Sequence, residues 1–139
     1  MIETDILYSL VKKEDWLKPV AEKVINMIVR GKLGQVYTSR EVIHELYYVS
    51  IEEGVTINEY IRRAAALTSI SNLIFLETTY EIDLLALTLM KQYKLESIFD
   101  AYYAATCLNM VKDHTIISTY EPYDRIPGIN RIDPRDLKF

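Results

Sequence analysis

Residues 96–119 read ESIFDAYYAATCLNMVKDHTIIST, and this stretch holds both kinds of element from which the fold is built. From Ser97 to Lys112 the apolar positions recur at helical spacing. Ala104, Cys107 and Val111 fall on one stripe at about 3.6 residues per turn, and Asp100 leads that stripe. The small side chains Ala101, Ala104 and Ala105 let such a helix pack close to its neighbours. The pattern then changes: Thr115-Ile116-Ile117-Ser118 is short, apolar and rich in β-branched residues, which reads as a strand.

The same alternation extends in both directions from this stretch. Further strand candidates are Met1–Glu3, Gln35–Thr38, Leu73–Leu76 and Ile129–Ile132. Helical patterns cover Ile6–Val11, Trp16–Gly31, Ser39–Ile51, Ile57–Ser69 and Tyr80–Tyr93. Three helix starts match the T-x-x-E capping box, at Thr38, Thr56 and Thr78, with Glu41, Glu59 and Glu81 as the answering acids. Gly31 and Gly54 suit helix ends, where the left-handed conformation costs glycine little. Alternation of this kind predicts an α/β fold in which a short parallel sheet of four to five strands is flanked by helices. Ligands of such sheets bind beyond the carboxyl ends of the strands. Glu3 and Asp5 end the first strand and Thr119 to Asp124 follow the fourth, so both segments are expected to line one crevice.

The totals are consistent with one domain over residues 1–139, long enough to bury a core without staples. Four glycines and four prolines leave little room for linkers. Cys107 is the single cysteine, which excludes an intrachain disulfide and fits a reduced, cytoplasmic setting. No basic-then-apolar leader precedes the first strand, and no apolar run nears the roughly 18 residues of a membrane span. A net charge of −4 argues against nucleic-acid binding by a broad basic surface. It leaves open an acidic pocket that attracts phosphate once loaded with divalent cations.

Each carboxylate has an ordinary reading beside a chemical one. Asp100 completes an S-x-x-D capping box from Ser97 and could simply face the helix dipole, yet a surface cap has no reason to lead the inward stripe. Glu45 lies at the edge of the face formed by Val42, Leu46 and Val49, either solvated or turned into a cleft. Asp5 can cap the helix that begins at Ile6. His44 and His114 lack metal-ligand spacing to each other or to Cys107, which argues against zinc. The G-x-x-G at Gly31–Gly34 precedes a strand rather than a helix, unlike an RNA-clamping KH loop. The helix pair around Glu52-Glu53-Gly54 has an acidic turn unsuited to DNA. What remains is a scattered set of acids, Glu3, Asp5, Glu45, Asp100 and Glu121 or Asp124, whose oxygen donors suit Mg²⁺.

The order of these acids resembles the PIN-domain family, especially VapC-type toxins of archaeal and bacterial toxin–antitoxin pairs. Glu3-Thr4-Asp5-Ile6-Leu7 is similar to that family's opening D-T-N or D-T-S, and His44-Glu45-Leu46 to its helical Glu. Asp100-Ala101-Tyr102-Tyr103-Ala104-Ala105 matches its D-A-x-x-A-A helix. Ser118-Thr119-Tyr120-Glu121, with Pro127-Gly128-Ile129 behind, is similar to its closing strand and turn. The resemblance covers nearly the whole chain. It implies a compact three-layer PIN-like fold and Mg²⁺- or Mn²⁺-dependent endoribonuclease activity. Glu3 and Asp100 would coordinate the ion, and Glu45 would bind it or orient the attacking water. Asp5 would be a further ligand, and Thr4 and Thr119 polar supports. The resemblance also implies a homodimer, an RNA substrate and a small antitoxin partner. Arg40, Arg62 and Arg63 are candidates for steering RNA.

Two departures stand out. Glu3 replaces the family's leading Asp, and Tyr120 takes the fourth acidic position, leaving a second cation site without its acid unless Glu121 or Asp124 substitutes. Tyr120 therefore motivates a second reading: a PIN-like module that has lost catalysis and binds RNA or protein. A third keeps the nuclease but assigns it to RNA maturation.

Overall fold

A computed structural model describes residues 1–138. Helix α1 spans Thr4–Val11 and α2 Lys18–Val29; strand β1 (Val36–Ser39) leads to α3 (Glu41–Glu52) and α4 (Ile57–Thr68). Strand β2 (Leu73–Leu76) is followed by α5 (Tyr80–Tyr93), α6 (Ile98–Met110) and β3 (Thr115–Ile117). A short 3-10 turn (Glu121–Arg125), β4 (Asn130–Ile132) and a second 3-10 turn (Pro134–Asp136) close the chain.

The strands form two two-stranded parallel sheets, β1 with β2 and β3 with β4, rather than the continuous sheet of four to five strands that the alternation suggested. The expected first strand, Met1–Glu3, is what shrinks. Glu3 already caps α1 with an extended backbone, and Thr4 is helical, so only Met1 and Ile2 remain to pair. They still lie between the sheets. The Ile2 N–H donates to the Tyr37 carbonyl at 2.9 Å, the Ile117 N–H donates to the Met1 carbonyl at 2.8 Å, and Ile2 pairs with Ile117 as an isolated parallel bridge. The order in space is therefore β2, β1, the Met1–Ile2 segment, β3 and β4, with β1 parallel to β2, β3 parallel to β4 and Ile2 parallel to β3.

Helix starts follow the hydroxyl logic with two shifts of one residue. Thr56 accepts from the Glu59 N–H at 3.2 Å as anticipated. At the other two boxes the second of two adjacent hydroxyls does the work. Ser39 accepts from Glu41 N–H (3.0 Å) and Thr79 from Ile82 N–H (3.4 Å). A T-x-x-E pattern cannot rank two neighbouring hydroxyls.

Helix α6 holds the centre, packing on α5, α3 and β1. Its inward stripe is as expected: Ala104 and Cys107 are fully buried and Val111 nearly so. Ile2, Ile6, Leu7, Leu46 and Ile116 complete the core beneath the carboxyl ends of the strands. Burying each such side chain stabilises the fold by about 1.5–3 kcal/mol. Among the described residues no helix is long and apolar enough to cross a membrane.

The turn before β4 requires glycine. Gly128 has φ +91°, and a Cβ there would lie 3.3 Å from Leu108 Cδ2 on α6. Gly128→Ala is therefore expected to destabilise the protein by roughly 1–3 kcal/mol, read as a fall in urea midpoint at unchanged m-value.

Candidate active site

Six acids line one cleft of about 500 Å³ at the carboxyl ends of Met1–Ile2 and β3, among them the four expected from the sequence, Glu3, Asp5, Glu45 and Asp100. Glu3 ends the bridging segment and Asp5 sits in the first turn of α1. Glu45 comes from α3 and Asp100 from the first turn of α6. Thr4, Glu96, Thr119, Tyr120 and Glu121 complete the polar lining, with Tyr8, Val49 and Pro122 beside them; Glu96 is an acid that sequence reasoning missed.

Glu3, Asp5 and Glu45 are each held by a hydroxyl. Glu3, only 4 % exposed, accepts from the Asp5 N–H through Oε1 (2.9 Å) and from the Tyr123 hydroxyl through Oε2 (2.7 Å). The Ser118 hydroxyl lies 3.3 Å from the same Oε2. Asp5 caps its own helix through Oδ1, which accepts from the Ile6 N–H at 2.8 Å. Its Oδ2 accepts from both the N–H (2.7 Å) and the hydroxyl (2.9 Å) of Thr119. The capping reading and the cleft reading of Asp5 are thus both realised, one on each oxygen. Glu45 accepts from the Tyr103 hydroxyl at 2.8 Å, and Tyr103 shares a 2.6 Å hydrogen bond with Thr4. The Tyr120 hydroxyl takes a hydrogen bond from the Glu96 N–H at 3.2 Å.

The electrostatics are those of crowded, buried like charges. Burial, then the charge of Asp5 and more weakly that of Asp100, push the Glu3 carboxyl well above its ordinary value. Burial also raises Asp5, against the hydrogen bonds from Thr119. Asp100 is pushed up to about 7, first by burial and then by the charge of Glu45, while the Tyr120 hydroxyl favours its ionised form. Burial likewise raises Tyr103 and Tyr123, so both remain neutral donors.

The other sequence candidates lie elsewhere. Asp124 does not line the cleft. It is clasped by Arg131 in a two-point ion pair, 2.9 Å on each oxygen, which lowers its carboxyl below the usual range. Arg131 also donates to the Ser118 carbonyl (2.9 Å), so this pair braces the strand end that carries Ser118 and Thr119. Glu121 lines the cleft but is exposed. Arg40 pairs with Glu77 at 3.8 Å and Arg63 with Glu59 at 3.7 Å. Arg62 is exposed, and none of the three lines the cleft. Tyr103, Tyr123 and Ser118 were not singled out from the sequence. Tyr103 carried a usable signal, since it falls one turn after Asp100 on the same helix, but Tyr123 carried none.

The donor chemistry suits a hard divalent cation: the lining offers carboxylate and hydroxyl oxygens and, among the described residues, no Lys, Arg or His to neutralise them. Among the described residues, however, no three acidic, imidazole or thiol groups are gathered tightly enough to form a ready-made cation cage. Mg²⁺ does not demand one, since it commonly takes one or two carboxylates and fills its remaining positions with waters and substrate phosphates. On donor type and unbalanced charge the cleft fits such an ion.

The family model for the PIN domain matches residues 1–119 of the chain, and the chain belongs to the PIN-domain family. PIN domains are generally nucleases that act on RNA and generally use divalent metal ions. The matched region contains Glu3, Asp5, Glu45 and Asp100 and stops just before Tyr120. A search of curated proteins returned no significant match.

Proposed function

We propose that the chain is a Mg²⁺- or Mn²⁺-dependent endoribonuclease, a single PIN-like domain acting as the toxin of a toxin–antitoxin pair. The observation that carries this reading is the convergence of Glu3, Asp5, Glu45 and Asp100 on one cleft whose lining offers no cation. Glu3 and Asp100 would hold the ion, with Asp5 a further donor. A divalent ion bound there would supply Lewis-acid stabilisation of the phosphate and a more acidic water for attack. The remaining work belongs to the chain's own groups. Glu45 has one oxygen fixed by Tyr103, and among the described residues no hydrogen bond occupies the other, so Oε2 is free to orient water and receive its proton. Thr119 and Thr4 restrain Asp5 and the Tyr103 hydroxyl. In the net reaction water adds to phosphorus as the bond to the leaving ribose oxygen breaks.

Cleavage of a structured RNA with Mn²⁺ tests this, comparing wild type with an Asp100→Asn, Glu45→Gln double variant. Cleavage by the wild type alone is expected; equal rates would remove the enzymatic reading. They would favour the second reading, a PIN-like module that binds RNA or protein without cutting, for which Tyr120 in the fourth acidic position speaks. Growth arrest on expression, relieved by a small neighbouring gene product, separates a toxin from an RNA-maturation nuclease. The exposed Tyr47, Tyr48 and Ile61 on α3 and α4 offer apolar surface for a second copy or an antitoxin.

A further inference from the structure

Two of the cleft's acids are aimed by tyrosines that themselves never reach it. Tyr103 and Tyr123 are both fully buried, so their rings are clamped by packing on every side. Neither lines the cleft, yet their hydroxyls lie 2.8 Å from Glu45 Oε1 and 2.7 Å from Glu3 Oε2. Glu45 has no donor to spare and must accept, so Tyr103 donates to it. Tyr103 can then only accept from Thr4, whose Oγ1 is 2.6 Å away. The result is a directional relay from α1 through α6 to α3: Thr4 hydroxyl to Tyr103 hydroxyl to Glu45. It joins positions 99 and 58 residues apart in sequence. Tyr123 completes the pattern from the 3-10 turn, stacked edge-on against Tyr120 at 4.9 Å between ring centres.

We propose that Tyr103, driven by Thr4, and Tyr123 are positioning residues that fix the rotamers of Glu45 and Glu3, so that these carboxylates face the cleft before any ligand arrives. This inference rests on the ribonuclease reading for its consequence, though not for its geometry. A glutamate side chain has three rotatable bonds. Left free on a helix or at a strand end, it spends much of its time turned to water. Held by a hydroxyl on a rigid, buried ring, it keeps one orientation at no further entropic cost when a cation or substrate binds. Supporting hydrogen bonds of this kind typically carry 10- to 100-fold in cation affinity or activity.

The test uses Tyr103→Phe and Tyr123→Phe, which keep the buried ring and remove only the hydroxyl. Two readouts are taken on the full chain. The first is cation-independent: a buried, slowly exchanging tyrosine hydroxyl proton seen by NMR. Its signal is expected to vanish in Tyr103→Phe and to move in both Glu45→Gln and Thr4→Val. A signal indifferent to Glu45→Gln overturns the relay. The second readout is Mn²⁺ affinity by titration together with the cleavage rate. Tyr103→Phe is expected to lower both by about 10- to 100-fold in the wild-type background. In the Glu45→Gln background it should change them less than threefold, because the residue acts through Glu45. A loss of equal size in both backgrounds marks a merely structural role and overturns the proposal, as does no loss at all. If the hydroxyl signal responds as expected but the wild type neither binds Mn²⁺ nor cuts RNA, the ribonuclease reading fails while the positioning of Glu45 stands.

Discussion

Asp100→Asn is expected to abolish RNA cleavage and, in the absence of divalent cations at pH 8, to melt at a higher temperature than wild type. The two effects have one cause. Asp100 is half-buried beside Glu45 and is pushed up to about 7 by burial first and by that neighbouring charge second. At pH 8 it is mostly ionised and sits in repulsion that folding created. Asparagine has nearly the same shape without the charge, so the folded state loses a penalty that the unfolded chain never had. The gain should be a few degrees in melting temperature, after allowance for solvent screening at a half-open cleft. The loss is much larger. A cation-holding carboxylate that stabilises charge on the phosphate contributes several kcal/mol, or about 10²–10⁴-fold in kcat/KM. A variant that is both more stable and inactive identifies an acid kept for chemistry; one that is less stable and still active would show that Asp100 is only a cap.

The pH dependence of stability gives the second large effect. Glu3, Asp5 and Asp100 all have raised carboxyl values in the folded protein, Glu3 and Asp100 for burial and neighbouring charge, Asp5 chiefly for burial. For a raised group the folded state binds more protons than the unfolded one. Its contribution is therefore fully present below the unfolded value near pH 4 and is lost as pH climbs through the folded value, about 7 for Asp100. Without divalent ions, the melting temperature should fall steadily from pH 5 to pH 8. Asp124 and Asp133 act in the opposite sense. The arginines beside them, Arg131 for Asp124 and chiefly Arg135 for Asp133, lower their carboxyl values, Asp133 to about 2. What they contribute is lost only below pH 4, outside this window. Added Mg²⁺ should reverse the slope, because it binds the ionised carboxylates. At 100 times its dissociation constant it stabilises the folded state by about 2.7 kcal/mol. A melting temperature that rises from pH 5 to pH 8 in a chelator would mean that the acids are not strained by one another.

Much of this was legible in the chain because the signals were local. Helix α5 and strand β2 begin and end where the apolar patterning puts them, with the cap of α5 one residue later than expected. The inward stripe of α6 placed Asp100 near the core from spacing alone. The sheet was less legible: a strand of two residues between two sheets, cut short by a helix cap, has no signature of its own. In the site, the acids could be named because carboxylates at strand ends and on inward faces are unusual, and because their order resembled a known family. Of their supports, Thr4 and Thr119 could be named through that resemblance, whereas the tyrosines were not. Tyr103 reads as one more aromatic in a core helix, and only its distance from Glu45, 58 positions away, makes it polar in function. Asp124 failed for the complementary reason. Its partner Arg131 lies seven residues on, a spacing that is meaningless until the 3-10 turn and β4 fold it back.

The placement of Met1 and Ile2 between the two halves of the sheet sets a clock on the molecule's birth. These residues wait for partners made more than a hundred residues later. Ile2 can bridge to Ile117, and Glu3 can meet Ser118 and Tyr123, only after 115 to 120 further residues have been made. At about 5–20 residues per second, that is a delay of roughly six to twenty-five seconds during which Met1 and Ile2 can pair with β1 alone. A nascent chain therefore carries all four acids for some time before they can be brought together. The cleft is therefore assembled only once the segment carrying Ser118 and Tyr123 has emerged.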